Sequence, residues 1–329
     1  MKPVIAADRE GSIGVSGKFL LCVGCQKGGT TWLSEYLRSF AEVRLGPRKE
    51  MHVLDVHFLE SNSDWHTSRI EANEATLARL EARGTAEREL TPLRRKLEGY
   101  RAAQPLTANL EDYASYFRRL ADEPGVLAVA DLTPDYAALR PEHWAIVRPI
   151  LEDVGFELRV LFLMRDPLER IESVWRMWAR DSVREVSRGS GVIGKAAYRG
   201  LALARHIAAK VAPAPADDRF LSFALDPENL DRSRYERTIE SLDASFPAEA
   251  VWFGFYETLF AEETIRDILD FAGLPWRAPD FDKRVNASPL ETPIAAKDRA
   301  RVRETLEPTY RYCADRFGED RLRAIWKNF

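Results

Sequence analysis

The sequence predicts an α/β fold, a doubly wound sheet with mainly parallel central strands flanked by helices. Three short apolar runs carry that expectation, Phe19 to Val23, Leu158 to Met164 and Val251 to Phe255, and each is followed by residues at helical spacing. After the first run, Leu33, Tyr36, Leu37 and Phe40 recur at i, i+3, i+4 and i+7, which lays one apolar face on a sheet. Leu158 to Met164 is nearly continuous apolar sequence, as a strand covered on both faces requires. It leads into Leu168, Ile171, Val174, Trp175 and Trp178. The third run precedes Ile265, Ile268, Leu269 and Ala272, closed by Gly273 and Pro275. Strands that alternate with helices pair in parallel, because a crossover helix returns the chain to the same end of the sheet.

Val126 to Ala130 is a further strand candidate, and Tyr235, Ile239, Leu242 and Phe246 mark a further helix. Between about residues 61 and 125 the chain is rich in Glu and Arg, with Ile70, Leu77 and Leu80 on one stripe, and reads as solvated helices decorating a core. Asn109 is placed to cap a helix that buries Leu110, Tyr113, Phe117 and Leu120 before Pro124-Gly125 ends it. No repeat or low-complexity linker divides the chain. A single domain is therefore expected over residues 1–329, with helical insertions at about 61–125 and 182–235. Gly189, Gly191 and Gly194 permit mobility in the second insertion.

The composition, with 45% hydrophobic and 30% charged residues, is that of a soluble globular protein. Forty-eight Lys and Arg against 52 Asp and Glu give a net charge of −4, which argues against a protein that coats nucleic acid. Any anion site must be local. Three cysteines make no disulfide framework, no apolar run near the start is long enough to span a bilayer, and the first residues lack the order of a secretion signal. A reducing, cytoplasmic setting is expected. Cys22 and Cys25 form a C-x-x-C, but Cys22 lies within a strand signal and no second pair completes a metal site.

The segment Gly24 to Trp32 (GCQKGGTTW) starts where a strand ends and finishes inside a helix, so backbone N–H groups and the positive helix end converge on one point. Gly24, Gly28 and Gly29 allow close backbone approach, Lys27 adds a charge, and Thr30 and Thr31 add hydroxyls. Against the pattern G-x-x-x-x-G-K-[ST], Thr30 stands where the lysine belongs and Lys27 has moved inside the loop, which disfavours an ordinary nucleoside triphosphate site. The loop is P-loop-like without being a P-loop.

The run KGGTTWL resembles the 5′-phosphosulfate loop of sulfotransferases that use 3′-phosphoadenosine 5′-phosphosulfate (PAPS). Their second signature, a strand ending in Arg-Asp-Pro with an arginine and a serine on the next helix, is similar to RDPLERIESVW at Arg165 to Trp175. The resemblance implies a P-loop-like sulfotransferase fold, PAPS as donor, 3′-phosphoadenosine 5′-phosphate (PAP) as product and no required metal. It assigns the 5′ end of the donor to Lys27, Gly28, Gly29, Thr30, Thr31 and Trp32, and the 3′-phosphate to Arg165 and Ser173. Lys283 and Arg284 resemble a basic segment that folds over the nucleotide. Phe255 to Pro275 resembles a strand-to-helix stretch that is chiefly architectural.

Lys49-Glu50-Met51-His52 resembles the Lys-Glu-x-His segment of glycan sulfotransferases and their bacterial relatives, in which the glutamate is the general base. This implies Glu50 as base, with His52 orienting it or serving in its place, and Lys27 stabilising the leaving group. Asp131 to Tyr136 (DLTPDY) resembles a Thr-Pro-x-Tyr segment that lines the acceptor side, with Leu132 where glycan enzymes often carry lysine. The acceptor implied is a hydroxyl or amine of a small molecule, lipid head group or glycan, and no nucleic acid. A P-loop nucleotide kinase and a non-catalytic nucleotide-binding adaptor are the rival readings.

Overall fold

The structure is a computed structural model, described here for residues 17–187, 216–282 and 294–329. Lys283, Arg284 and the glycines at 189, 191 and 194 lie outside these residues. Among the described residues one five-stranded sheet forms, from β1 (Lys18–Gly24), β2 (Val43–Leu45), β3 (Ala128–Leu132), β4 (Glu157–Met164) and β5 (Val251–Phe255). Its order is β2-β3-β1-β4-β5 and each neighbouring pair is parallel. From β1 the chain crosses to the edge strand β2, returns to β3 beside β1, and then passes to β4 and β5 on the other side, so the strand order switches sides at β1, where α/β folds open a binding crevice.

The alternation of side chains explains why the central strands are apolar throughout. From β1, Phe19, Leu21 and Val23 enter one core, and Leu20 and Cys22 enter the other. β4 repeats this, with Val160, Phe162 and Met164 on the first side and Leu161 and Leu163 on the second. Each face is covered by helices, so most positions in these strands are apolar, and Asp131 in β3 is a buried exception.

Helix α1 (Thr30–Arg38) follows β1 and packs Leu33 and Leu37 on the second core. A short helix α2 (Leu54–Phe58) precedes α3 (Trp65–Ala82) and α4 (Glu87–Ala103), a hairpin pinned by Arg94–Glu81 and Arg101–Glu74 pairs, each at 2.6 Å. Ile70, Leu77 and Leu80 are only half-buried, as solvated helices require. By contrast, α5 (Leu110–Ala121) belongs to the main core: Asn109 accepts the Glu111 N–H (2.9 Å), and Phe117 meets Phe19 at 4.6 Å between ring centroids. Helix α6 (Pro141–Asp153) leads to β4, and α7 (Pro167–Ser187) follows it.

Two expectations are adjusted. β3 starts two residues later than expected, because Val126 still closes the turn onto Glu123 (3.2 Å) and Leu127 bonds the Glu42 carbonyl (2.8 Å) and stays half exposed. The edge strand β2 was not foreseen, since three residues are too few to show a period. The expected parallel arrangement is present, and among the described residues every pairing is parallel. Among the described residues no helix is long and apolar enough to cross a membrane.

Phe19 is fully buried among Tyr113, Phe117 and Phe156. Phe19→Ala should lower the unfolding free energy by about 3–5 kcal/mol in urea titrations, and a loss below ~1 kcal/mol would remove its central place.

Candidate active site

The carboxyl ends of β1, β4 and β5 lie side by side, and the loops leaving them hold most of the candidates. Cys25 to Gly29 turn the chain from β1 into α1. Cys25 donates its N–H to the Leu163 carbonyl of β4, and Gly28 donates to the Cys25 carbonyl at 2.9 Å, which folds the loop onto the sheet edge. A Cβ on Gly28 would stand 2.8 Å from the Leu163 backbone oxygen, and one on Gly29 would displace Leu259 Cδ2 (2.5 Å) and adopt a strained φ of 90°. Gly29 (φ 90°) begins α1 without a side-chain cap, and the first turn carries no acidic residue. Its N–H groups and the helix dipole thus remain for an anion.

Thr30 is buried and Thr31 half-buried in that turn. Lys27 reaches toward α7, where its Nζ lies 3.7 Å from Met177 Sδ. Ser173, half-buried, precedes Met177 by one helical turn and so shares the α7 face that meets Lys27. Trp32 is 5% exposed, stacked with Tyr36 and Phe281 at centroid distances of 5.4 and 5.9 Å.

Arg165 continues from β4. Its guanidinium lies 4.5 Å over the Tyr256 ring, and the same ring would come within 3.2 Å of a Cβ on Gly29. One aromatic side chain therefore borders both loops. A second tie is Tyr235, whose hydroxyl donates to the Arg165 carbonyl (2.7 Å) and sits 3.5 Å from Cys25 Sγ. Arg165 pairs with Glu169 (3.0 Å), which also meets Lys327 (3.4 Å). Burial raises the Glu169 pKa, but Arg165 and then Lys327 outweigh it and leave it lowered. The Arg165 Nε is buried without a hydrogen-bond partner among the described residues.

Asp166 does not pair with Arg165. Its Oδ1 accepts the N–H groups of Leu168 (3.1 Å) and Glu169 (3.2 Å) and the Tyr310 hydroxyl (2.6 Å), while Oδ2 accepts two bonds from Asn328 (2.8 and 2.9 Å). Arg170 is completely buried, donating to Ser233 Oγ (2.5 Å) and the Asn229 carbonyl (2.6 Å), so it braces the helical layer. Burial lowers its pKa.

The third group lies between β2 and α2. Glu50 (φ 60°), His52 (φ 50°) and Lys27 (φ 73°) are the non-glycine residues with positive φ among the described residues. The Glu50 carboxylate is 37% exposed and pairs with Lys49. Burial pushes the Cys22 thiol up to about 12, and a backbone contact at Gly24 and then the Lys49 charge partly offset the rise. Met51 donates its N–H to Thr133 Oγ1 (2.8 Å), and Val53 and Leu54 donate theirs to the Tyr136 hydroxyl (3.2 and 3.4 Å). His52 is buried, stacks on Trp65 at 3.8 Å, and faces Asp55 Oδ2 through Nδ1 at 2.8 Å. Burial lowers the His52 pKa, but the Asp55 carboxylate overcomes this and the net shift is upward.

The structure thus brings Lys27, Gly28, Gly29, Thr30, Thr31, Arg165 and Ser173 to one sheet edge, with Glu50 and His52 beside it. It buries Trp32 in aromatic packing. Sequence reasoning missed Asp55, three residues after His52, and did not see that Tyr256 joins the two loops. Thr133 and Tyr136 were expected to line the acceptor side; both are buried and are occupied by the Met51–Leu54 backbone.

A raised imidazole pKa adds stability that is complete below the unfolded value of about 6.5 and is lost as pH rises through the folded value. The stability gap between wild type and His52→Gln should therefore shrink across that window, by about 1.4 kcal/mol for each pH unit separating the two titrations. A gap unchanged from pH 6 to 9, measured by urea unfolding, would contradict the His52–Asp55 coupling.

Among solved structures, the crystal structure of a sulfotransferase from Alicyclobacillus acidocaldarius aligns with a TM-score of 0.51 at 15% sequence identity, covering 91% of this chain and 94% of that one. The sulfotransferase domain of the olefin synthase from Synechococcus PCC 7002 aligns with a TM-score of 0.40 at 16% identity, covering 88% and 94%. No family model and no curated protein matches the chain. With a parallel sheet in the order β2-β3-β1-β4-β5 and its loops gathered at one edge, the chain has the fold of the Alicyclobacillus acidocaldarius sulfotransferase.

Proposed function

We propose that the protein transfers a sulfuryl group from PAPS to a hydroxyl or amine acceptor and releases PAP. The observation that carries this reading is the meeting of two anion-seeking elements on Tyr256, the uncapped α1 turn with Lys27 on one side and Arg165 on the other. The orphaned Arg165 Nε and the glycine-lined turn suit the two charged ends of such a donor. Both anion elements are built into loops fixed by the sheet, so the donor would meet them already in place.

The donor supplies a sulfuryl group joined through oxygen to its 5′-phosphate. Arg165 and Ser173 hold its 3′-phosphate, and the first turn of α1 holds the 5′ end. Glu50, the partly exposed carboxylate, takes the acceptor proton as the acceptor oxygen or nitrogen bonds to sulfur. The sulfur–oxygen bond to the 5′-phosphate breaks and its electron pair stays with the phosphate, where Lys27 and the α1 N–H groups stabilise the charge. His52, buried and already committed to Asp55, fits an orienting role better than that of the base. Leu132 is 3% exposed in the second core and brings no charge to the acceptor side, which favours a small alcohol, amine or lipid head group over a polyanionic glycan.

Titration calorimetry should give tight binding of PAP and little of ATP; the reverse ranking would favour a kinase. Arg165→Ala and Ser173→Ala should each weaken PAP by about 1.5–3 kcal/mol. The same variants should scarcely affect adenosine 5′-phosphosulfate, and equal losses for both ligands would remove the assigned role. Glu50→Gln should keep PAP binding and reduce turnover of labelled PAPS by roughly 10²–10⁴-fold. Wild-type turnover in that variant would move the base elsewhere, and no turnover of any acceptor by the wild type would favour the adaptor.

A further inference from the structure

We propose that Asp131 is a positioning residue that sets the backbone around Glu50 and His52 through a one-way relay of hydrogen bonds, an inference that rests on Glu50 being the base. Asp131 lies next to the end of β3, is 1% exposed, and forms no ion pair among the described residues. A buried carboxylate without a cation is costly unless donors surround it. Here three hydroxyls do so: Thr133 Oγ1 at 2.6 Å from Oδ1, and the Tyr136 and Tyr113 hydroxyls at 2.7 and 2.9 Å from Oδ2.

Proton counting fixes the direction of these bonds. A backbone N–H can only donate, so Thr133 Oγ1 accepts from Met51 and must turn its single proton elsewhere. That proton goes to Asp131. Tyr136, which accepts from Val53 and Leu54, is bound in the same way. Asp131 thus accepts from all three hydroxyls; burial raises its pKa and these bonds offset the rise only in part, so the net shift is upward. The relay runs from the amides of Met51, Val53 and Leu54, through two hydroxyls, to one carboxylate. Those amides lie after Glu50 and around His52, both held in left-handed backbone. Tyr113 donates to the same carboxylate from α5 but reaches none of these amides.

Asp131→Asn tests the relay, since one face of the amide would present N–H groups to hydroxyls whose protons have no other acceptor. Hydrogen exchange at Met51, Val53 and Leu54 should rise at least tenfold relative to β1 amides, turnover should fall at least tenfold, and PAP affinity should stay within twofold. Exchange rising equally across the sheet, or PAP affinity falling in step with turnover, would overturn the proposal in favour of a general structural role. If Asp131→Asn does not fold, Thr133→Val should release Met51 alone and Tyr136→Phe should release Val53 and Leu54, while Tyr113→Phe should release none of the three. Unchanged exchange in Thr133→Val and Tyr136→Phe would overturn the relay.

Asp131→Asn combined with Glu50→Gln should be no slower than Glu50→Gln alone, because a residue acting through Glu50 has nothing left to position. Multiplying losses would overturn the proposal. A wild-type protein that fails to bind PAP would overturn the functional reading instead, and the exchange measurements would still decide whether the relay exists.

Discussion

Two loops can grip one ligand only if the strands that carry them are locked together, and the pairing of β1 with β4 is that lock. The register runs from Lys18 opposite Glu157 to Gly24 opposite Phe162, and side chains from both strands enter the cores on both faces. Sliding one strand by a residue would turn each of its side chains to the opposite core. Gly28 extends the lock past the end of the sheet, because its backbone passes where a Cβ would strike the Leu163 carbonyl. Tyr235 and Tyr256, supplied by a later helix and by the end of β5, then fasten Arg165 to the loop. The distance between the two anion-seeking elements is thus set by core packing.

The electrostatics follow from how carboxylates are satisfied near this edge. A protein with net charge −4 cannot attract a highly charged anion by overall field, so local cations must not be cancelled. Asp166 and Asp131 sit close to the candidate residues, yet their oxygens are filled by backbone amides, hydroxyls and Asn328 rather than by cations. This leaves Arg165 and Lys327 to share the single carboxylate of Glu169. Some arginines elsewhere pair with neighbours on the same helix, as Arg266 with Glu262 and Arg323 with Glu319, where solvent screens the charge.

What was legible in the sequence is what is covalently local. β1 and β4 were visible because they are buried on both faces, which a continuous apolar run records directly, and β5, half-buried at the sheet edge, was visible because its five residues are apolar or glycine. The loop Gly24 to Trp32 and the turn at Arg165 were visible because glycine, lysine and the Arg-Asp-Pro turn act within a few residues of one another. β2 left no trace in three residues, and the start of β3 was misplaced because Val126 and Leu127 are apolar but belong to a turn. The roles of Tyr256, Tyr235 and Asp131 depend on partners far away in the chain, and no periodicity encodes such contacts. Burial also distinguishes the accessible carboxylate of Glu50 from the imidazole of His52, enclosed by Asp55 and Trp65, a difference that residue type alone does not carry.

Lys27, Glu50 and His52 share an uncommon backbone state, and this explains why so much of the surrounding packing is devoted to holding them. Each left-handed non-glycine residue costs about 1–3 kcal/mol, so together they consume roughly 3–9 kcal/mol of a folding free energy that is usually about 5–15 kcal/mol. A loop left to itself would relax. Lys27 does not relax because Cys25 is fastened to the edge of β4 and Gly28 to Cys25, and α1 begins immediately after Gly29. Glu50 and His52 do not relax because the amides of Met51, Val53 and Leu54 are bound to Thr133 and Tyr136. The strain is offset by buried hydrogen bonds on both flanks, and its benefit is geometric: side chains leaving left-handed positions project where an extended or helical backbone would not send them.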